Sequence, residues 1–280
     1  DVPFRILSTA TLRDPCLRPA RTPSCYDTAK FGIAGVSPAR WRLGRRGAKI
    51  PGTYRQSKFT SMFTGIIQAS GTVHSIESRG GDARLTLATG KLPMGEVVLG
   101  DSIAVNGVCL TAVALDGARF SADVSRETLS LTTLGALRPG SRVNLEKALT
   151  LATPLGGHLV SGHVDGVGEV LERRQDGRSW RFQIQAPAGL ARYIAQKGSI
   201  CVDGTSLTVN AVQGAIFELN LVPHTLTETL FGDYQTGTRV NLEVDLVARY
   251  LERLVLGDRA ALPETGAITP AFLAEHGFLR

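Results

Sequence analysis

Short stretches in which polar and apolar residues alternate recur along this 280-residue chain, and they predict β-strands. Alternation places successive side chains on opposite faces, so that one face of each strand can enter a core. Asp116-Gly117 and Gln213-Gly214 are typical of hairpin turns. Many short, evenly spaced strands predict a small closed antiparallel barrel, which leaves few exposed edges. The clearest of these stretches are 84–89, 102–105, 142–146, 181–186 and 206–209.

An internal repeat divides most of the chain into two similar halves. Shifted by 97 positions, residues 65–146 match residues 162–243 without a gap, with 25 identities in 82 positions. This period is too long for the unit of a solenoid, so each copy is predicted to be a domain. We therefore expect two barrels in tandem, the first over residues 62–158 and the second over residues 159–255.

A helical pattern follows the second copy. From about residue 244 to Leu256, apolar residues fall on one broad face, and Gly257 is placed to end the helix. Two interpretations stay open, since such a face either packs on its own domain or mediates self-association. Residues 256–280 are treated as a C-terminal tail without an assigned function.

The positive charge of the chain is concentrated at its N-terminus. The net charge is +6, but residues 1–61 carry 12 Lys and Arg against 3 Asp and Glu, while the rest carries 19 against 22. The segment 1–61 is predicted to be a disordered or non-native extension: translated upstream DNA, an Arg-rich organelle transit segment, or a basic arm. The remaining body is mildly acidic, which argues against a nucleic-acid-binding protein.

Four other classes of protein are disfavoured. The four cysteines include no CxxC pair, which argues against zinc ribbons, iron–sulfur clusters and a disulfide scaffold. No run of apolar residues is long enough for a membrane span, so no membrane association is expected. A cytoplasmic location is the expectation.

Small polar residues occupy equivalent places in the two copies. Asn106-Gly107-Val108-Cys109-Leu110-Thr111 aligns with Asp203-Gly204-Thr205-Ser206-Leu207-Thr208. A glycine turn followed by hydrogen-bonding groups suits the edge of a planar heterocycle, although a plain hairpin gives the same pattern. Thr128 and Thr225, also equivalent, are candidate caps of a short helix.

Two histidines and one acid stand where the equivalent position of the repeat has a different kind of residue. His158 and His163 lie in Gly156-Gly157-His158-Leu159-Val160-Ser161-Gly162-His163, where they either contact a ligand or make isolated hydrogen bonds. A metal site is disfavoured because no third ligand lies at suitable spacing. Asp245 stands where the first copy has Ala148, and it is either a helix N-cap or a functional group.

These motifs, together with Met62-Phe63-Thr64-Gly65-Ile66, closely resemble riboflavin synthase of the alpha-chain type, from Met62 to about Leu256. The resemblance implies an all-β fold of two tandem six-stranded Greek-key barrels with a C-terminal helix that assembles a homotrimer. It also implies dismutation of two 6,7-dimethyl-8-ribityllumazine molecules into riboflavin and 5-amino-6-ribitylaminouracil. No cofactor and no metal are expected, because carbon and electrons both come from the substrate. Association with a lumazine synthase shell is left open.

The resemblance also implies two substrate pockets that face each other between neighbouring chains. The pocket assigned to the first copy contains Gly65, Ile66, Ile67, Cys109, Leu110, Thr111, Ser125, Arg126, Glu127, Thr128, Leu129 and Ser130. The pocket assigned to the second copy contains Gly162, His163, Val164, Lys197, Ser206, Leu207, Thr208, Val222, Pro223, His224, Thr225, Leu226 and Thr227.

Five residues are predicted to take part in catalysis. His163 is the candidate general base for the 7-methyl proton of one lumazine. Cys109 and Ser102 are expected to assist proton transfer or to stabilise a covalent adduct, and Thr208 and Asp245 to orient the second substrate. The rival interpretation is a non-catalytic lumazine- or flavin-binding protein on the same doubled barrel, which retention of polar groups in both copies disfavours. A flavin reductase is disfavoured because its Arg-x-Tyr-Ser/Thr motif is absent from the sequence.

Overall fold

The computed structural model describes residues 61–261, so residues 1–60 of the predicted extension and residues 262–280 of the predicted tail lie outside these described residues. The strands of the first copy are β1 (Ala69–Arg79), β2 (Asp82–Ala88), β3 (Ser102–Val105), β4 (Val108–Thr111), β5 (Ala114–Asp116), β6 (Arg119–Val124) and β7 (Arg142–Lys147). Those of the second copy are β8 (Gly166–Asp176), β9 (Ser179–Gln185), β10 (Ser199–Val202), β11 (Thr205–Gln213), β12 (Ile216–Leu221) and β13 (Arg239–Val244). The α-helices are α1 (Arg126–Leu131), α2 (Pro223–Glu228) and α3 (Leu246–Leu256). Short 3-10 turns cover Thr133–Ala136, Ala188–Tyr193, Leu230–Gly232 and Gly257–Ala261.

The second copy is a closed six-stranded antiparallel barrel in the order β10-β11-β12-β9-β8-β13. Its interior is apolar, with Phe182, Ile184, Val209, Phe217 and Val240 at most 1% exposed. Both predicted hairpin turns form, and Gly117 and Gly214 take the positive φ angles that such tight turns need. The predicted all-β fold is confirmed.

The first copy differs from the predicted six strands because one strand is broken. Its sheet has seven strands in the order β4-β3-β7-β1-β2-β6-β5, and β4 and β5 together take the place of β11. The break falls at Ala112 and Val113. In the repeat these positions are equivalent to the place where β11 shifts register, between Val209 and Ala211. Hydrogen bonds still cross the break, from Gly100 N to Ala112 O at 2.9 Å and from Val113 N to Ser121 O at 2.8 Å. An irregularity that β11 absorbs as a bulge therefore divides the equivalent strand.

Helix α3 begins at Leu246, slightly later than the pattern predicts, because Val244 still belongs to β13. Asp245 caps it by accepting a hydrogen bond from Val247 N at 2.9 Å. Its polar side is tied to the second barrel, since Tyr193 donates a hydrogen bond to Glu252 and Arg249 pairs with Asp165. Its apolar side faces outward, with Tyr250 64%, Leu254 76% and Val255 80% exposed.

Between residues 61 and 261, no helix has the length and apolar content needed to cross a bilayer.

Candidate active site

The two copies meet at their glycine turns. Asn106 and Asp203 adopt φ angles of 46° and 44°, and Gly107 and Gly204 follow each of them with positive φ. A Cβ atom on Gly107 would lie 2.7 Å from Gly204 N, so neither glycine can be replaced without separating the turns. The close approach that the sequence suggested for a heterocycle is used instead to pack one copy against the other.

Two asparagines connect the copies across this junction. Asn144 Nδ2 donates to Asp203 O at 2.9 Å, and Leu230 N donates to Asn144 Oδ1 at 3.0 Å. Asn241 repeats the pattern in reverse, donating to Asn106 O at 2.8 Å and accepting from Thr133 N at 2.8 Å. Because both side chains are buried and each bonds the other copy through its amide nitrogen and its amide oxygen, they fix the relative position of the two copies.

The loop at the start of each copy lies beside the polar strand of the other copy. Phe63 and Val160 form an antiparallel bridge between the two loops. Beyond it, Cys109 N donates to Gly162 O at 2.9 Å and Ser206 N donates to Gly65 O at 2.7 Å. The structure thus brings Gly65 to Ser206 and Gly162 to Cys109. The repeat predicts pockets formed within each copy, and the Phe63–Val160 bridge between the copies is the physical reason that the residues meet across the copies instead.

A buried glutamate holds each of these loops. Glu146 accepts from Thr64 N and Thr64 Oγ1, both at 2.7 Å, and from Gly65 N at 3.0 Å. Burial raises the pKa of Glu146, and the hydrogen bonds from Thr64 oppose this rise. The carboxylate therefore presets the Thr64-Gly65 backbone.

Glu243 does the same for the second loop. It accepts from Ser161 N at 2.6 Å, Ser161 Oγ at 2.7 Å and Gly162 N at 2.9 Å. Sequence reasoning missed Glu146, Glu243 and the two asparagines as site residues. The available signal was the Arg-Val-Asn-Leu-Glu repeat, in which buried strands carry the same polar residues in both copies.

The polar group around Ser206 contains a histidine. His158 Nδ1 lies 2.7 Å from Ser206 Oγ, and His158 Nε2 is buried with no hydrogen-bond partner among residues 61–261. Burial lowers the pKa of His158, and the negative charge of Asp245 opposes this shift. Gly157 leaves the necessary room, because a Cβ atom there would lie 2.1 Å from Thr64 O. Asp245 therefore serves as a helix cap, and its negative charge also raises the pKa of His158.

The equivalent group around Cys109 lacks both the imidazole and the acid. Ser61, at the position of His158, donates to Ser102 Oγ at 2.7 Å, and Ala148 replaces Asp245. Burial raises the pKa of the Cys109 thiol, and a hydrogen bond with Ser102 opposes this rise. Burial thus disfavours the thiolate form of Cys109.

Several other predicted site residues are exposed in the single chain. His163 is exposed, and its backbone N–H donates to Ser161 Oγ at 3.3 Å. Thr111, Thr208 and Lys197 are also exposed. Ser206, not Thr208, makes the hydrogen bond with His158.

Both predicted helical stretches form, but the capping prediction was wrong. Ser125 caps α1 by accepting from Thr128 N at 3.1 Å, while Thr225 lies inside α2. Thr132 and Thr229 cap the 3-10 turns that follow the two helices. Threonines that the copies share thus stabilise the segment after each helix rather than its start. Within residues 61–261, no group of three or more potential metal-ligating side chains is found.

Comparison with known proteins identifies the family. The lumazine binding domain matches residues 64–148 and 161–245, the two copies described above. Riboflavin synthase of Photobacterium phosphoreum is 47% identical over 218 residues, which cover 78% of this chain and 100% of that protein. Riboflavin synthase of Mycobacterium tuberculosis is 51% identical over 69% of this chain and 98% of that protein. The chain belongs to the riboflavin synthase family.

Solved structures agree with this family. LumP complexed with riboflavin superimposes with a TM-score of 0.61 at 26% identity, covering 65% of this chain and 98% of LumP. LumP complexed with 6,7-dimethyl-8-(1'-D-ribityl) lumazine gives a TM-score of 0.59 at 25% identity, with the same coverage. The doubled lumazine-binding architecture of this family member is thereby established.

Proposed function

We propose that this chain catalyses the dismutation of two 6,7-dimethyl-8-ribityllumazine molecules to riboflavin and 5-amino-6-ribitylaminouracil. One lumazine gives up a four-carbon unit and the other receives it, so all atoms and electrons come from the two substrates. The observation that supports this most directly is the pair of crossed polar groups, around Ser206 and around Cys109, in a member of this family. Two identical substrates need two similar pockets, which a duplicated domain supplies.

The proposed pockets are each built from both copies. One combines the loop at Gly65–Ile67 with Ser206, Leu207 and Thr208 and with residues 222–227. The other combines the loop at Gly162–Val164 with Cys109, Leu110 and Thr111 and with residues 125–130. The hydrogen bonds between Gly65 and Ser206 and between Gly162 and Cys109 support this arrangement. Ordering two rings in reactive contact removes much of the entropy cost of a bimolecular encounter.

Proton transfer is proposed to depend on the pocket around Ser206. The 7-methyl group of one lumazine must lose a proton, and a neutral imidazole is a suitable acceptor near neutral pH. His158 has a lowered pKa and a hydrogen bond to Ser206, so it acts as the base directly or through the Ser206 hydroxyl. His163, exposed on the other loop, is the competing candidate. Cys109 and Ser102 are assigned to binding the second lumazine, with the Cys109 side chain as a neutral thiol.

We further propose a homotrimer in which α3 mediates assembly. The exposed apolar side of α3 supports self-association, because its polar side already binds the second barrel. His163, Lys197, Thr111 and Thr208 are exposed in the single chain, which fits an active site completed by a neighbouring chain.

The direct test is incubation of the full chain with 6,7-dimethyl-8-ribityllumazine. We expect riboflavin absorbance to appear, with two substrate molecules consumed per riboflavin formed and no added oxidant. Binding of lumazine without conversion would instead support the non-catalytic binding protein.

A further inference from the structure

The two copies differ in side-chain volume at one end of the barrel. At four equivalent positions the second copy has an aromatic residue and the first copy a smaller one. The pairs are Ala83 and Trp180, Leu85 and Phe182, Leu134 and Phe231, and Leu137 and Tyr234. All four substitutions reduce volume in the same region, so the first copy has unfilled space where the second is packed.

In the second copy this space holds a cluster of aromatic rings in edge-to-face and tilted contact, beside a cation. The Arg173 guanidinium lies 4.2 Å from the ring centroid of Trp180. Phe231 contacts Phe182 and Tyr234 with ring centroids 5.2 and 4.9 Å apart. These are the distances of favourable cation–π and aromatic contacts.

In the first copy the same region is an open cavity of about 330 Å³. Its floor is apolar and includes Ala83, Leu85 and Leu134, and Arg126 lies at its edge. The Arg126 side chain forms no salt bridge with any residue between 61 and 261. The Asp82 carboxylate accepts the backbone N–H of Arg126 at 2.9 Å. The first copy thus has Ile76 in place of Arg173 and lacks the aromatic ring, but α1 supplies a different cation, Arg126, to this site.

We propose that this cavity binds a small planar aromatic acid, with its rings in the space that the Trp180 indole fills in the second copy and its anionic group at Arg126. The cavity is large enough for a two-ring compound, at the lower end of the usual size of ligand pockets. Cys109 and Ser206 do not line it, but α1 contributes Arg126, Leu129 and Ser130 both here and to the stretch 125–130 of the proposed substrate pocket. The cavity therefore adjoins that pocket, and its binding of an aromatic acid does not require the proposed dismutation.

The probe is indole-3-acetate, titrated into the full chain and followed by ligand-observed NMR. Tryptamine, which has the same rings and a cationic group, is the matched ligand. We expect indole-3-acetate to bind at least threefold more tightly than tryptamine, because Arg126 favours the anion. Absence of indole-3-acetate binding, or tighter binding of tryptamine, would overturn the proposal.

Two variants locate the site. Ala83→Trp copies the second half into the first and is expected to weaken indole-3-acetate binding at least tenfold. Trp180→Ala opens the equivalent space in the second half and is expected to add a second binding site for indole-3-acetate. Leu134→Phe, which fills the cavity by a smaller change, takes the place of Ala83→Trp if that variant does not fold.

A competition experiment distinguishes binding in this cavity from binding in the substrate pockets. Saturating 6,7-dimethyl-8-ribityllumazine is added to the complex with indole-3-acetate. Retention of indole-3-acetate supports a separate site. Displacement, or unchanged binding by a folded cavity-filling variant, would show that the probe occupies a substrate pocket instead.

Discussion

His158 Nδ1 lies 2.7 Å from Ser206 Oγ, a hydrogen bond that joins the loop before the second barrel to a strand 48 residues later. The equivalent pair in the first copy is Ser61 and Cys109, which do not reproduce it. The two halves therefore share a backbone plan but differ in acid–base chemistry, as a reaction between a donor and an acceptor requires.

His158→Gln is expected to reduce the single-turnover rate of riboflavin formation by about 100-fold or more, the usual contribution of a positioned acid–base group. His163→Gln is the matched variant, and we expect a smaller loss because its imidazole is exposed. Ser206→Ala should add little to the loss in His158→Gln, since the two groups act together. A larger effect of His163→Gln would assign the base to that residue.

In a pH–rate profile, the rate of riboflavin formation should stay high as the pH falls toward the ordinary pKa of histidine. It should decline only below that pH, and this decline is the acidic limb of the profile. Burial lowers the pKa of His158, so the imidazole remains neutral at a pH where an exposed histidine is already protonated. Asp245→Asn should move the acidic limb to lower pH, because it removes the charge that raises this pKa. Asparagine also caps helices, so α3 should persist by circular dichroism. A limb that moves to higher pH would contradict the assignment.

Asp203 is expected to make the protein less stable as the pH rises from about 4 to about 7. Burial raises its folded pKa from 3.8 to about 7, so the folded state binds the proton more tightly than the unfolded state in this window. Stability from this group is complete below the unfolded pKa and is lost as the carboxyl ionises. The loss is of roughly 1–4 kcal/mol.

Asp203→Asn should remove this slope of stability against pH, because an amide does not ionise in this range. The fold should accept the change, since Asn106 already fills the equivalent place and accepts from Asn144 N at 2.7 Å. Thermal melting at pH 5 and pH 8 measures the difference. Tyr234→Phe is the matched variant: it removes the hydrogen bond that lowers the pKa of Asp203, so the slope should extend to higher pH. An unchanged slope in Asp203→Asn would assign it to another group.

Glu146→Gln should damage the pocket around Ser206, although Glu146 belongs to the other copy. An amide cannot accept from Thr64 N, Thr64 Oγ1 and Gly65 N together, and an unsatisfied buried donor costs about 1–3 kcal/mol. Double-mutant cycles on ligand affinity should show coupling of Glu146→Gln with Ser206→Ala and additivity with Cys109→Ala. Glu243→Gln should show the reverse. Coupling within each copy would contradict the crossed pockets.

Leu254→Glu is expected to dissociate the proposed trimer into folded single chains with greatly reduced activity. The side chain is exposed on the apolar side of α3, so the change should disturb assembly rather than the barrel core. Light scattering after gel filtration measures the mass. Arg253→Glu, which changes charge on a neighbouring exposed position, is the control and should leave the mass unchanged.

The sequence by itself determined the duplication, the strand pattern and the helix. The gap-free repeat and the alternating stretches are local properties, written in the spacing of apolar residues, and so are the Asp116-Gly117 and Gln213-Gly214 turns. The motifs around Cys109 and Ser206 were also visible, because both copies retain them.

Only the tertiary structure decided which motifs meet. Pairing of Phe63 with Val160 carries each loop to the opposite copy, and no local pattern encodes a contact between residues that far apart. The same holds for His158, whose chemistry depends on burial and on Ser206, and for the cavity at Ala83, which is defined by side chains from several strands. Burial, desolvation and packing depend on the whole fold, and they distinguish two copies that the backbone makes nearly alike.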